Sequence, residues 1–321
     1  MASTRPSPRG EPIVERFVFE GIVPAPFLPM NEDESIDWTS LRSYYQWVAG
    51  QKPTAICVNM DAGEGSSLTR DEQLEVLRTT LAAVDGACPV FSGLIASFTA
   101  DAVRWGAELK RAGAHGLVVF PPLPVFLGTP LPAEMVVRHH TAIAEVGLPF
   151  VAFQLPKGEG PDLSTDVMQE LLKCPTFVGV KEASCDAVRT IESVDTARRL
   201  SRKLGILTGS DQFILEAMLM GCDGALIGFA GTATKELIQM HAAVRARDMA
   251  TAYRIWDRLG PLARYCWRLP ERDYRPRMKE VLVMQGLIRS AAVRAPQMGV
   301  SDAERTELRR LARHAGLVAA A

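Results

Sequence analysis

Short apolar runs alternate along the chain with longer stretches in which hydrophobic residues recur at helical spacing. The runs fall at Gly21–Pro24, Ala55–Asn59, Val90–Leu94, Gly116–Phe120, Pro149–Gln154, Phe177–Lys181, Gly205–Thr208 and Ala225–Gly228. Each is rich in Val, Ile, Leu or Phe and is bounded by Gly, Pro or a polar turn. A strand covered on both faces reads as a continuous apolar run rather than an alternating one, so these suit a parallel sheet wrapped by helices.

Between the runs, the periodicity predicts helices over Ser40–Ala49, Thr69–Val84, Ala100–Ala112, Thr129–Val146, Ser164–Lys173, Ala187–Lys203 and Gln212–Met220. Asp37 stands where it can cap the first. Thr69-Arg-Asp-Glu72 has the spacing of a capping box, in which hydroxyl and carboxylate satisfy each other's exposed amides. Gly113, Gly147 and Gly221 mark three helix ends. Eight strands alternating with helices, with no Gly-rich phosphate loop at a strand end, predict an α/β fold of the (β/α)8 TIM-barrel type rather than a doubly wound sheet. Beyond about residue 232 the strands stop. Thr234–Arg245, Met249–Cys266, Arg275–Arg289 and Ser301–Ala315 all read as helical. The expected organisation is a polar, Pro-rich disordered tail over 1–14 without a secretory signal, a barrel over 15–232 and a helical extension over 233–321.

Charge narrows the function classes. Lys+Arg is 36 against Asp+Glu 37, a net charge of -1, which argues against binding driven by nucleic acid or an anionic membrane. No uncharged apolar run approaches the ~18 residues of a membrane span. The six cysteines are scattered without a CxxC pair, so the expectation is buried thiols in a cytoplasmic protein, with neither disulfides nor a structural metal. Eight lysines stand against 28 arginines, and a lysine closing an apolar strand is conspicuous.

In a barrel of parallel strands the chemistry sits at the carboxyl ends. Lys181 closes the run Phe177–Val180 and should emerge among apolar walls. Desolvation there disfavours the ammonium and prepares an amine nucleophile. The plainer reading pairs Lys181 with Glu182 or Asp186 at the strand end.

These residues carry a resemblance. The chain resembles the dihydrodipicolinate synthase / N-acetylneuraminate lyase family of class I, Schiff-base aldolases. Asp61-Ala62-Gly63-Glu64 matches the site of its G-[ST]-T-G-E motif, Phe153-Gln154-Leu-Pro156 its Y-N-x-P, and Gly179-Val-Lys181-Glu-Ala-Ser184 its G-[IV]-K-[ED]-x-S; Gly209-Ser-Asp211 stands near its G-x-D. The resemblance implies a barrel with C-terminal helices, a homo-oligomer (dimer or tetramer), no cofactor, and a small 2-oxo acid bound as an imine on Lys181. It further implies that backbone N–H groups around Ala62 and Gly63 hold the substrate carboxylate.

The departures from that pattern concern proton transfer. Phe153 stands where the family has its catalytic tyrosine, Asp61 and Ala62 where it has a hydroxyl and a threonine, and Leu123 where it has a neighbour-contacting tyrosine. Lys157-Gly158 occupies the place of the synthase's arginine. None of the five tyrosines, at 44, 45, 253, 265 and 274, lies at a strand end. Asp61 is therefore the candidate general base or acid, expected to be buried with a raised pKa, or else to cap the turn near Ser66–Thr69. Glu64 reads as a turn-stabilising residue. Gln154, Lys157, Ser184 and Asp211 are candidates for substrate contacts, with local capping or solvation as the plainer reading. His139-His140, Trp256, Tyr265 and Trp267 read as packing residues, and Arg268–Arg277 as a loop reaching over the barrel mouth. Two functions fit: a lyase performing aldol cleavage, condensation or sugar-acid dehydration, or a catalytically impaired family member that binds a metabolite or partner.

Overall fold

The computed structural model describes residues 19–122, 131–156 and 160–319. The expected tail over 1–14, and with it Leu123 and Lys157, lies outside the described residues. Eight strands alternate with helices in chain order: β1 (Gly21–Pro24), α1 (Trp38–Gly50), β2 (Ile56–Val58), α2 (Arg70–Val84), β3 (Val90–Leu94), α3 (Thr99–Arg111), β4 (Gly116–Val119), α4 (Ala133–Ala144), β5 (Phe150–Gln154), α5 (Thr165–Leu171), β6 (Phe177–Glu182), α6 (Ala187–Arg199), β7 (Gly205–Thr208), α7 (Ile214–Met220), β8 (Gly224–Ile227) and α8 (Thr234–Arg245). Helices α9 (Met249–Cys266), α10 (Tyr274–Met284) and α11 (Asp302–His314) follow. The strands are parallel and ordered β1-β8-β7-β6-β5-β4-β3-β2. This is the TIM barrel with C-terminal helices.

The strand order leaves β1 and β2 as the flanks of one seam. Thr54 bridges it: its N–H donates to the Ile22 carbonyl at 2.9 Å and its hydroxyl to the Glu20 carbonyl at 2.7 Å. Gly21, in the left-handed region at φ +95, has no Cβ to strike that hydroxyl. Every strand is buried throughout, which is why each reads as an unbroken apolar run.

Helix boundaries follow their caps. Asp37 accepts from Thr39 and Ser40 at the start of α1, and the Thr69/Glu72 box opens α2 as its spacing predicts. Two helices end four or five residues earlier than periodicity suggests. Helix α6 ends at Arg199, where Leu200 turns extended, rather than at Lys203. Helix α10 ends at Met284 rather than Arg289, because Gly286 adopts a left-handed φ of 72 just beyond it.

Helix α8 packs on β1 and α9 on α8, and α11 closes against both α9 and α10. Helix α10 is tied to the loop after β2. Lys279, fully buried, pairs with the equally buried Glu64 and donates to the Ala292 carbonyl at 2.7 Å. Arg277, 1% exposed, donates to the carbonyls of Cys266 and Arg268 at 3.0 and 2.8 Å. It thereby holds the turn between α9 and α10 over the carboxyl ends of the strands.

Candidate active site

A cavity of about 520 Å³ opens at the carboxyl ends of the strands. Lys181 from β6 lies in its wall, only 8% exposed. Strand alternation sends the next side chain outward: Glu182 is fully buried between β6 and α6, accepting from the Ser184 N–H at 2.9 Å and the Ser193 hydroxyl at 2.5 Å. Asp186 caps α6. Neither carboxylate pairs with Lys181, so the plainer reading of the lysine does not hold. Its Nζ instead lies 4.1 Å from the ring centroid of Phe153, its register partner on β5. Gly209 makes this placement sterically available, since a Cβ there would stand 2.6 Å from Ala183 Cβ and 2.8 Å from Lys181 Cε.

Burial lowers the lysine pKa below its ordinary value, with the carboxylates of Asp211 and Asp61 pulling partly the other way. Asp211, 6% exposed, follows β7 and lines the same cavity. Its Oδ1 accepts the Phe229 N–H at 2.7 Å. Burial pushes its carboxyl up to about 7, against the lowering effects of that hydrogen bond and of Lys181. A poorly solvated amine and a carboxyl that exchanges protons near neutrality thus face one pocket.

Across the mouth, Asp61 receives the Tyr274 hydroxyl on Oδ2 at 2.7 Å and Arg275 Nη2 on Oδ1 at 2.5 Å. Arg275 Nε also donates to the Asp61 main-chain carbonyl at 2.8 Å. The ring of Tyr274 stacks on Trp267 with centroids 4.9 Å apart and 14° between planes. Both rings line the cavity, together with Ala62, Phe120, Ile95 and Leu155. The N–H groups of Ala62 and Gly63 find no hydrogen-bond acceptor among the described residues.

The Dihydrodipicolinate synthetase family profile matches residues 18–315. The chain belongs to this family. It is 31% identical over 302 residues to the 4-hydroxy-tetrahydrodipicolinate synthase of Alcanivorax borkumensis, covering 94% of this chain and 99% of that one. A synthase of the same name from Methanoculleus marisnigri is 28% identical over 297 residues, covering 92% and 98%. Among solved structures, the dihydrodipicolinate synthase of Acinetobacter baumannii complexed with pyruvate superposes with a TM-score of 0.82 at 26% identity, over 94% of this chain and 100% of that one. The Thermotoga maritima dihydrodipicolinate synthase has the same fold, with a TM-score of 0.85 at 21% identity over 94% and 100%.

Of the residues singled out by sequence, Lys181, Asp61, Ala62, Phe153, Gly209 and Asp211 meet at the cavity of this family member. Gly63 is not among the lining residues; a Cβ on it would stand 3.1 Å from the Pro26 carbonyl oxygen. Gln154 and Ser184 turn away from the site. The Gln154 amide donates to the carbonyls of Leu155 and Pro161 at 2.7 and 3.1 Å, while its oxygen accepts from Leu163 N–H and Arg189. Ser184 hydrogen-bonds the main chain of Asp186. Both line a separate outer cleft with Asp162, Arg189 and Glu192. Their polar atoms serve the loops that follow β5 and β6, which is the local reading.

Asp61 differs from expectation too. Its side chain is 48% exposed and ion-paired rather than buried, and Thr69, not Asp61, caps α2. Glu64 is the turn residue expected, locked by Lys279. His139 and His140 are buried and packed, with burial holding both down to about 4. Sequence reasoning missed Tyr274 and Trp267 as cavity residues. The only signal was their place in or next to Arg268–Arg277, the segment expected to reach the mouth.

Proposed function

We propose that the protein is a lyase that converts a small 2-oxo acid through an imine on Lys181. The carrying observation is a lysine buried in the wall of a 520 Å³ cavity that has no hydrogen bond or ion pair among the described residues. An amine so placed is biased toward its neutral, nucleophilic form. It adds to the ketone, water leaves, and the resulting iminium draws electrons from the adjacent carbon. Cleavage or condensation of a carbon–carbon bond, or loss of a β-hydroxyl, then passes through one enamine. Ala62, which lines the cavity, and its neighbour Gly63 have N–H groups without an acceptor among the described residues, suited to the substrate carboxylate, and Asp211 is suited to holding a proton near the imine. The likeness to a synthase solved with pyruvate supports a pyruvate-type donor. We read the protein as a cytoplasmic homo-oligomer, dimer or tetramer, which sedimentation velocity would test.

The test is reductive trapping. Borohydride added in the presence of pyruvate, or of a panel of 2-oxo sugar acids, is expected to leave a covalent adduct on Lys181 and none in Lys181→Ala. Absence of any adduct on the parent protein would sink the mechanism. One observation favours a second reading, a binding protein with weakened catalysis: Phe153 puts a phenyl ring, which has no exchangeable proton, against the amine. Turnover of the trapped acids separates the two.

A further inference from the structure

Resting on the Schiff-base reading, we propose that Tyr274 and Asp61 form the proton-transfer pair of this site, with the phenol delivered by a C-terminal helix instead of a barrel strand. Tyr274 is the first residue of α10, yet it is 7% exposed and lines the same cavity as Lys181. Its hydroxyl proton is aimed at Asp61 Oδ2, 2.7 Å away. The ring is held on two sides, by the Trp267 stack and by the edge of Phe27 at 6.1 Å. The carboxylate is held by Arg275 through both its side chain and its main-chain carbonyl. Arg277 and Lys279 then pin the following turn of α10 to the rest of the fold. The partner carboxylate is 48% exposed, so it can exchange protons with solvent.

The proton count closes through this pair. Addition of the neutral amine to the ketone gives an ammonium and an alkoxide on one carbon. The ammonium proton passes to the Tyr274 oxygen as the tyrosine's own proton moves to Asp61, and the same route in reverse delivers it to the alkoxide. A second proton, drawn from solvent by Asp61 and handed on through Tyr274, converts the hydroxyl into departing water and leaves the iminium. The phenol ends neutral, as it began. Burial and the Asp61 charge hold it well above its ordinary pKa, so it acts by relay and not as a standing phenolate.

Timed borohydride quenching measures the rate of adduct formation on Lys181 with the 2-oxo acid that the parent protein traps, pyruvate first. Tyr274→Phe keeps the stacked ring and should slow adduct formation by about 10²-fold or more. Asp61→Asn keeps an acceptor for the phenol but cannot take its proton, and should give a similar loss. The double variant should be no slower than the worse single one, because the two residues act as a unit. Thermal midpoints should stay within about 5 °C of the parent. Rates within threefold of the parent, losses that multiply in the double variant, or losses that track unfolding would each overturn the pair while leaving the Lys181 adduct intact. A parent protein that forms no adduct overturns the pair together with the reading beneath it.

Discussion

Lys181 and Asp211 show how two residues adjust one another inside a cavity. Burial makes the ammonium unfavourable, and the carboxylate restores part of what burial removes. Replacing Asp211 by Asn should therefore lower the lysine pKa further and move the rise of trapping rate with pH to lower pH. An unmoved limb would show that Asp211 does not govern the amine. The same substitution should alter stability in a definite window. A carboxyl raised to about 7 by the fold is neutral in both states below about pH 4. As pH rises from there to about 7, the unfolded chain ionises it first, so the folded state loses stability across that range and levels off above it. Relative to Asp211→Asn, the parent's unfolding free energy should decline by about 2–4 kcal/mol between about pH 5 and pH 8. Parallel pH profiles in urea titrations would contradict this.

Helix α10 is the element on which the site depends. It contributes Tyr274 and Arg275 to the mouth, and Lys279 to the buried pair with Glu64. Removing one partner of such a pair strands a charge without water, whereas removing both is often nearly neutral. Lys279→Met should accordingly cost about 3–5 kcal/mol in denaturant unfolding, and Glu64→Gln added to it should recover much of that loss. Equal destabilisation by the single and double changes would mean the pair is incidental. The extent of this helix was only partly legible. Hydrophobic spacing carries on to Arg289, and the stop at Met284 depends on a left-handed Gly286. By contrast, Asp37 and the Thr69/Glu72 box mark their helix starts from sequence, because a cap is a local contact between neighbours.

At the scale of the whole molecule, one hydrophobic core runs from strand residues such as Val23 and Val180 into Leu259, Met278 and Leu308 of the C-terminal helices. The C-terminal helices should therefore melt with the barrel. Tryptophan fluorescence, which includes Trp267 at the mouth, and far-UV circular dichroism should report coincident transitions, and an earlier fluorescence change would show that the helices detach first.

Periodicity and strand-end chemistry were enough for the sequence by itself to determine eight covered parallel strands, a helical C-terminal region and the lysine at the end of β6. Each of these follows from residues that are neighbours in the chain or repeat along it. Gln154 and Ser184 sit at equally suggestive strand ends, yet the fold turns their polar atoms into loop supports. Only the tertiary structure decided which phenol faces the cavity. Tyr274 meets Asp61 across 213 positions of sequence, in a stretch of Arg, Glu and Asp that reads as a loop reaching over the barrel mouth without marking which side chain enters it. Buried anchors, Arg277 under the turn and Lys279 on Glu64, bring it into the cavity that Lys181 also lines, and neither contact leaves a mark in the local pattern of hydrophobic and polar residues.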